Sequence, residues 1–244
     1  MDKIALKFGK WIENDDYPEK LINKIILEES DTVLDLGCGE GTITIPLAKK
    51  ASNLTAVDLS ENMLNQIIEK ADKNSLNNIN TLKMDLGEVN VNNIGHYDIV
   101  IASRSVNSIY SARKFLKNIN EIANKYVFIT LYGPENKKYE KVIAELLNKD
   151  YRNYPHYSYI FNLLVNMGIS PNAENLYCES LIEYESVEDA LDRIGWRLGG
   201  LNHEENSKLK KHLKEILVVN EREKLENPLD KAEWILIWWK KDFN

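Results

Sequence analysis

Residues 32–41 read TVLDLGCGEG, a short apolar run that leads into three glycines at alternate positions. An apolar run bounded by a turn is typical of a buried strand in a parallel sheet, and residues 42–50 continue with helical spacing. Glycines between a strand and a helix let a ligand approach the backbone closely, and the helix offers free N–H groups to an anion. The stretch therefore predicts a ligand-binding strand–loop–helix unit.

The same alternation continues along the chain. Short apolar strands are predicted at residues 53–57, 79–83, 97–102 and 126–131, with helices at 60–74 and 111–124. This pattern predicts a doubly wound α/β core whose parallel sheet is covered on both faces. Ligands in this architecture bind outside the carboxyl ends of the strands. Asp58 and Asp85, which follow the second and third strands, are therefore candidate ligand residues.

Three kinds of ligand compete for a glycine-rich turn of this type. A P-loop needs Gly-Lys-Ser/Thr at its end, but Gly41 is followed by Thr42 and Ile43. A dinucleotide fingerprint, G-x-G-x-x-G, would place its third glycine at position 42. The observed spacing is G-x-G-x-G after Asp35, which fits neither of them.

The spacing resembles motif I of the class I S-adenosylmethionine-dependent methyltransferases. Three later stretches, residues 56–60 with Met63, residues 83–86 and residues 97–100, are similar to the family's motifs on the second, third and fourth strands. The resemblance covers about residues 30–132 with the motif order intact. It implies an α/β, doubly wound, Rossmann-like methyltransferase fold with a mainly parallel seven-stranded sheet, an antiparallel last strand and a helical cap. The Trp-rich residues 234–239 would supply the last strand.

The resemblance also implies a cofactor, S-adenosyl-L-methionine, with S-adenosyl-L-homocysteine as its product. In such a site the glycine loop lines the methionine half, Asp35 orients the loop and the cofactor amine, Asp58 holds the ribose hydroxyls, and Asp85 with Leu86 flanks the adenine. The full set of expected cofactor-binding residues is Asp35, Gly37, Cys38, Gly39, Gly41, Asp58, Leu59, Met63, Asp85, Leu86 and Ser103.

Methyl transfer from an activated sulfonium depends mainly on alignment, and a base is needed only if the nucleophile arrives protonated. The candidate catalytic residues are His156, Arg104 and Tyr157. Each has an alternative interpretation: surface packing for His156, an ion pair with a nearby acid for Arg104, and cap packing for Tyr157 within the Tyr-rich residues 151–159. Trp11 and Tyr17 either close over the cofactor or pack as ordinary helix residues.

Two other chemistries are not expected. Cys38 is interpreted as a small residue packed under the cofactor rather than as a nucleophile. No metal site is expected, because the four histidines and two cysteines show no ligand spacing.

Four segments are predicted: an N-terminal helical segment at 1–30 over the cofactor site, the cofactor-binding core at 31–133, a helical cap at 134–178, and a C-terminal completion of the core sheet at 179–244. A cap and a helical N-terminus are typical of relatives that act on small molecules. The expected partner is therefore a small-molecule methyl acceptor with an N, O or S nucleophile. The alternatives are a protein or RNA methyltransferase and a non-catalytic cofactor-binding protein.

The composition predicts which partners and which cellular location the protein has. A net charge of −7 without a basic block disfavours nucleic acid and anionic membranes as partners. Two cysteines and the absence of a long apolar run predict a cytoplasmic protein without disulfides or membrane spans. A monomer or a homodimer is expected.

Overall fold

A computed structural model describes residues 15–106, 109–133, 138–150, 157–179, 181–231 and 233–241. Seven strands form the main sheet in the order β3-β2-β1-β4-β5-β10-β6, and three more form a small sheet in the order β7-β9-β8. The strands are β1 Thr32–Leu36, β2 Asn53–Asp58, β3 Ile79–Lys83, β4 Tyr97–Ser103, β5 Ala123–Tyr132, β6 Asn172–Leu176, β7 Leu181–Tyr184, β8 Val218–Val219, β9 Leu225–Lys231 and β10 Trp234–Lys240. The helices are α1 Tyr17–Ile22, α2 Thr44–Ala48, α3 Glu61–Lys73, α4 Val91–Ile94, α5 Ala112–Ile122, α6 Lys138–Leu146, α7 Tyr157–Asn166, α8 Val187–Arg197 and α9 His203–Ile216.

The predicted doubly wound core is confirmed. Strand β1 runs parallel to both β2 and β4, and Val33 pairs with Leu54 on one side and Ile99 on the other. Because side chains alternate along a strand, Val33 packs with helices α2 and α3 on one face of the sheet, while Leu34 packs with α5 and α7 on the other. Asp35 lies on the same side of the strand as Val33, which places its carboxyl group beneath α2.

The antiparallel last strand is also confirmed. Strand β10 runs antiparallel between β5 and β6, where Trp234 pairs with both Tyr132 and Leu176. Trp239 is 1% exposed, and its indole N–H donates a hydrogen bond to Asn120 Oδ1 over 2.9 Å. These contacts place β10 inside the main sheet, between β5 and the edge strand β6.

Residues 157–176 differ from the sequence prediction, which placed them in a helical cap. Helix α7 packs its buried Ile160 and Leu164 into the second layer of the main core, and β6 forms the edge of the main sheet. The sequence gives little sign of this strand because residues 172–176 read NAENL, and only Leu176 is buried. An edge strand with one buried side chain does not need an apolar run.

Helix α6, which the sequence analysis also placed in the cap, belongs to a separate hydrophobic cluster. Helix α6 shares a hydrophobic cluster with α8, α9 and the small sheet, through residues that include Ile143, Tyr184, Ile194 and Leu213. The predicted strand at 179–184 is present as β7, but it pairs with β9 rather than with the main sheet. Among the described residues of the final predicted segment, β10 is the strand that joins the core sheet. No helix in the described ranges is both long and apolar enough to cross a bilayer.

Candidate active site

The three glycines of the loop after β1 all adopt positive φ, at +74° for Gly37, +53° for Gly39 and +86° for Gly41. A Cβ on Gly37 would lie 2.4 Å from Ser105 Cβ, and one on Gly41 would lie 2.8 Å from Ile67 Cγ1. Both glycines are therefore required by packing. A Cβ on Gly39 would meet no atom of the described residues within 4 Å, so among these residues Gly39 borders open space in which a ligand can contact the backbone.

Asp58, at the end of β2, ties the loop to the next helix. Its Oδ2 accepts a hydrogen bond from the Gly39 N–H over 3.0 Å, and its Oδ1 accepts one from the Ser60 N–H over 2.9 Å. Val57 O accepts further bonds from the N–H groups of Gly37 and Cys38. A carboxylate oxygen can accept more than one hydrogen bond, so the half-buried Asp58 can also accept bonds from ligand hydroxyls.

Asp35 carries a buried carboxyl group with one unsatisfied oxygen. The residue is 1% exposed, and its Oδ2 accepts a hydrogen bond from Thr44 Oγ1 over 2.7 Å. Its Oδ1 has no hydrogen-bond partner in the part of the chain that the structure describes. Burial raises the pKa of Asp35 to about 6, and the negative charge of Asp58 adds to this effect. A cationic group of a ligand would compensate the buried carboxylate.

Of the two residues expected to flank the adenine, Leu86 lies beside the glycine loop, and Leu59 and Met63 complete the expected set near the second strand. Leu86 Cδ1 lies 3.4 Å from the Cβ position of Gly37, and Leu59 is 62% exposed. Asp85 is exposed, and its Oδ1 accepts a hydrogen bond from the Gly87 N–H over 2.7 Å. Met63 is half-buried in the first turn of α3, where its N–H donates to Ser60 Oγ.

Cys38 is buried and has the properties of a packing residue. Burial and the nearby carboxylates of Asp35 and Asp58 raise the pKa of its thiol well above the usual range. The thiolate is the nucleophilic form of cysteine, so this environment keeps Cys38 unreactive.

A hydroxyl cluster marks the carboxyl ends of β4 and β5. The phenol of Tyr17, on α1, forms hydrogen bonds with Ser103 Oγ over 2.7 Å and with Thr130 Oγ1. Tyr17 is 1% exposed, and burial raises the pKa of its phenol. Thr130 Oγ1 also accepts a hydrogen bond from the Arg104 N–H over 2.9 Å. Thr130 has no motif around it in the sequence, and only its position at the end of β5 could have identified it.

Arg104 follows Ser103 and is enclosed by residues from two distant parts of the chain. Its Nη1 pairs with Asp15 Oδ2 over 2.7 Å, which is the ion pair given above as the alternative to substrate binding. Its guanidinium carbon lies 3.4 Å from the ring centroid of Tyr17 and 4.3 Å from that of Trp234. Sequence reasoning assigned no site role to Asp15 or Trp234, because nothing local in the sequence links them to Arg104.

Several of the candidate residues in and beyond the Tyr-rich stretch are not among the described residues. His156, Tyr151, Tyr154 and Trp11 lie outside the described residues. Tyr157 begins α7 and packs, half-buried, against the second layer of the core, while Tyr159 is 58% exposed.

Comparisons with known proteins agree with this geometry. The family model described as a methyltransferase domain matches residues 33–125, from β1 into β5. A putative methyltransferase from Bacillus halodurans superposes with a TM-score of 0.63 over 93% of this chain and 99% of its own, at 16% identity. That likeness supports the fold.

Relatives of known sequence fall into several classes. An uncharacterised protein of Haemophilus influenzae is 29% identical over 246 residues, which cover 99% of this chain and 88% of that protein. A ubiquinone biosynthesis O-methyltransferase of Rickettsia typhi is 28% identical over 62% of this chain and 66% of its own. Ribosomal RNA methyltransferases also occur among the matches, for example one from Wigglesworthia glossinidia brevipalpis at 24% identity over 66% of this chain and 59% of its own.

Proposed function

We propose that the protein is a class I S-adenosylmethionine-dependent methyltransferase that methylates a small-molecule acceptor at an N, O or S atom, and the match of residues 33–125 to a methyltransferase-domain model supports this proposal. The observation that carries the proposal is the open space at Gly39, bordered by a loop whose other two glycines are packed. Asp58 lies next to this space and supplies acceptors for hydroxyls, and the buried carboxylate of Asp35 in β1, just before the loop, would attract a cationic amine.

The residues present fit the cofactor. The backbone of Gly37, Cys38, Gly39 and Gly41 would hold the methionine half, and the unsatisfied Oδ1 of Asp35 would accept a hydrogen bond from its ammonium group. Asp58 would accept the ribose hydroxyls, while Asp85 and Leu86 would flank the adenine. When bound, the cofactor supplies a methyl group already activated by the sulfonium.

The chain's own contribution is to position the acceptor and to exclude water, because an activated methyl group needs little further chemistry. Tyr17 covers the ends of β4 and β5, and its high pKa keeps the phenol protonated, so that it acts as a hydrogen-bond partner rather than as a base. Ser103, whose hydroxyl bonds to Tyr17, is the last residue of β4.

A small acceptor agrees better with the charge than a polyanion does. The net charge of −7 opposes binding to RNA, which usually requires a basic surface. The ubiquinone O-methyltransferase among the relatives supports the same choice by analogy. The ribosomal RNA methyltransferases among the matches favour the second candidate, an RNA substrate.

The test is transfer of a labelled methyl group. The purified protein is incubated with methyl-labelled S-adenosylmethionine and a cell lysate, and the products are separated into small molecules, RNA and protein. Label in the small-molecule fraction that is lost with Gly39→Val would support the proposal. Label on RNA or protein would replace it with the second candidate or with a protein substrate. Cofactor binding without any transfer would indicate a binding protein.

A further inference from the structure

We propose that Arg104 and Trp234 form a carboxylate-binding subsite of the acceptor pocket, and that the Asp15 carboxylate occupies this subsite before the acceptor binds. The inference rests on the proposed function for its role in methyl transfer, although the subsite itself is argued from geometry. It assigns to the acceptor an anionic carboxylate group.

The first observation is a pair of buried N–H donors with nothing to bind. Arg104 Nε and Trp234 Nε1 have no hydrogen-bond partner among the residues that the structure describes. Trp234 is 7% exposed and Arg104 has 25% of its side chain exposed. Buried indole and guanidinium N–H groups normally find acceptors, so each of these two donors has the capacity to bind one, and the Arg104 guanidinium carbon lies 4.3 Å from the centroid of the Trp234 ring.

The second observation is that a carboxylate already lies on the guanidinium. Asp15 Oδ2 lies 2.7 Å from Arg104 Nη1, which leaves Nε for another acceptor. A guanidinium binds a carboxylate best through two parallel N–H bonds. Asp15 therefore shows that a carboxylate fits this position, and it leaves part of the donor set unused.

The third observation concerns the cost of placing Arg104 in this position. Its φ is +57°, a conformation that costs a non-glycine residue energy and that concentrates at functional sites. The ring of Tyr17 at 3.4 Å and the ring of Trp234 at 4.3 Å hold the guanidinium between two aromatic faces. The side chain is thus fixed in place before any ligand arrives, which lowers the entropy lost on binding.

The fourth observation is proximity to the cofactor loop. Ser105, the residue after Arg104, donates its hydroxyl to Leu36 O over 2.8 Å and packs against Gly37. Ser103, the residue before it, binds Tyr17. Arg104 therefore lies between the glycine loop and the helix that covers the strand ends, where an acceptor of the methyl group has to bind.

The charges favour a monoanion. Asp15 pairs with the Arg104 cation, and these two charges act on the nearby Cys178 thiol together with Asp16 and with Lys20 on α1. One guanidinium matches one carboxylate, whereas a phosphate dianion would meet two nearby acids. Asp15 competes with the ligand for Arg104. Removing the charge of Asp15 therefore increases the fraction of protein in which Arg104 can bind the ligand, and the apparent Kd falls by the same factor by which this fraction rises.

The test follows the Trp234 indole N–H in two-dimensional ¹H–¹⁵N NMR spectra, with the signal assigned through Trp234→Phe. The probes are benzoate and hexanoate, each compared with its neutral amide at constant ionic strength. We expect saturable shifts with Kd values of about 1–10 mM, the range in which a single small charged group binds. Asp15→Asn should lower Kd about threefold to tenfold, and Arg104→Lys should raise it at least about tenfold, because lysine lacks the planar fork.

Three results would overturn the subsite: no saturable shift in Asp15→Asn, equal shifts with the amides, or an unchanged Kd in Arg104→Lys. Calorimetric binding of S-adenosylhomocysteine to the same samples serves as the fold control. The same measurement separates the two proposals. If the unmodified protein does not bind S-adenosylhomocysteine, the proposed function is contradicted. The carboxylate titration is independent of that result, because it depends only on Arg104, Asp15 and Trp234.

Discussion

The backbone N–H of Gly39 donates a hydrogen bond to Asp58 Oδ2 over 3.0 Å. This bond joins the loop after β1 to the end of β2. Gly39, which borders the open space, and Asp58, which would bind the ribose, therefore hold each other in position. The second oxygen of Asp58 accepts the Ser60 N–H at the start of α3. One carboxylate thus fixes the loop and the helix that follow neighbouring strands.

Replacing Asp58 should therefore weaken cofactor binding in two ways. Asp58→Ala removes the acceptor for the ribose hydroxyls and releases Gly39, and we expect a loss of about 1–3 kcal/mol in the binding free energy of S-adenosylhomocysteine. Isothermal titration calorimetry measures this. The matched control is Asp98→Ala. Asp98 also accepts hydrogen bonds from a neighbouring strand, at Thr32, but it lies at the start of β4, at the opposite edge of the sheet from the end of β2. An equal loss of affinity in both variants would contradict a ribose role for Asp58.

A side chain at position 39 should block the cofactor without disturbing the packing of the protein. Gly39→Val introduces atoms into space that contains no described protein atom, and we expect binding of S-adenosylhomocysteine to fall at least about a hundredfold, roughly 2.7 kcal/mol. Gly168→Val is the control, since Gly168 has φ +78° and an equally open Cβ position at the end of α7. Both variants should lose about 1–2 kcal/mol of folding stability from the positive φ. Normal affinity in Gly39→Val would remove the loop from the binding site.

Binding of the cofactor should depend on pH through Asp35. Its pKa of about 6 lies above the ordinary value of 3.8 because the carboxyl group is buried. As the pH falls through 6 the carboxylate is protonated and no longer attracts the ammonium of the ligand, so affinity should fall by up to about tenfold per pH unit. Calorimetry of S-adenosylhomocysteine binding between about pH 5 and 7 measures this slope.

The Asp35→Asn variant provides the control for that profile. It should bind the cofactor more weakly at pH 7, and its affinity should stay flat over the same range. The ligand-free protein should show the opposite sign in its folding stability. A raised pKa means that the folded state holds the proton more tightly, so the contribution of Asp35 is full below about pH 4 and is lost as the pH rises through 6. A slope that persists in Asp35→Asn would assign the titration to another group.

The core could be predicted from the sequence because its signals are local. The run before Gly37 is apolar since β1 is buried on both faces, and each glycine of the loop has a positive φ that other residues adopt at a cost. Asp58 could be found by its position at the end of an apolar strand. The order and spacing of these features are fixed within short stretches of chain, which sequence patterns describe well.

The rest depends on contacts between distant residues. Strand β6 is polar and has one buried side chain, so nothing in its own residues distinguishes it from a loop. The surroundings of Arg104 come from Asp15, Tyr17 and Trp234, which the fold alone brings together. For the same reason the sequence left open whether Arg104 binds a substrate or an acid of the chain.

The hydrophobic cluster of α6, α8, α9 and the small sheet gives a final prediction about stability. Arg197 pairs with Glu140 over 3.3 Å and with Asp230 over 3.5 Å, and both acids are buried in the cluster that joins α6 to the small sheet. Arg197→Met leaves two buried carboxyl groups without their cation, and we expect a loss of about 3 kcal/mol in the free energy of unfolding by urea at pH 7.5. The loss should be smaller at pH 5, because burial raises the pKa of Asp230 and its protonated form tolerates the absence of the cation. Arg222→Met, which removes a largely exposed cation from Glu183, should cost less than about 1 kcal/mol. Equal losses of unfolding free energy in the two variants would show that the buried ion pairs of Arg197 do not stabilise this cluster.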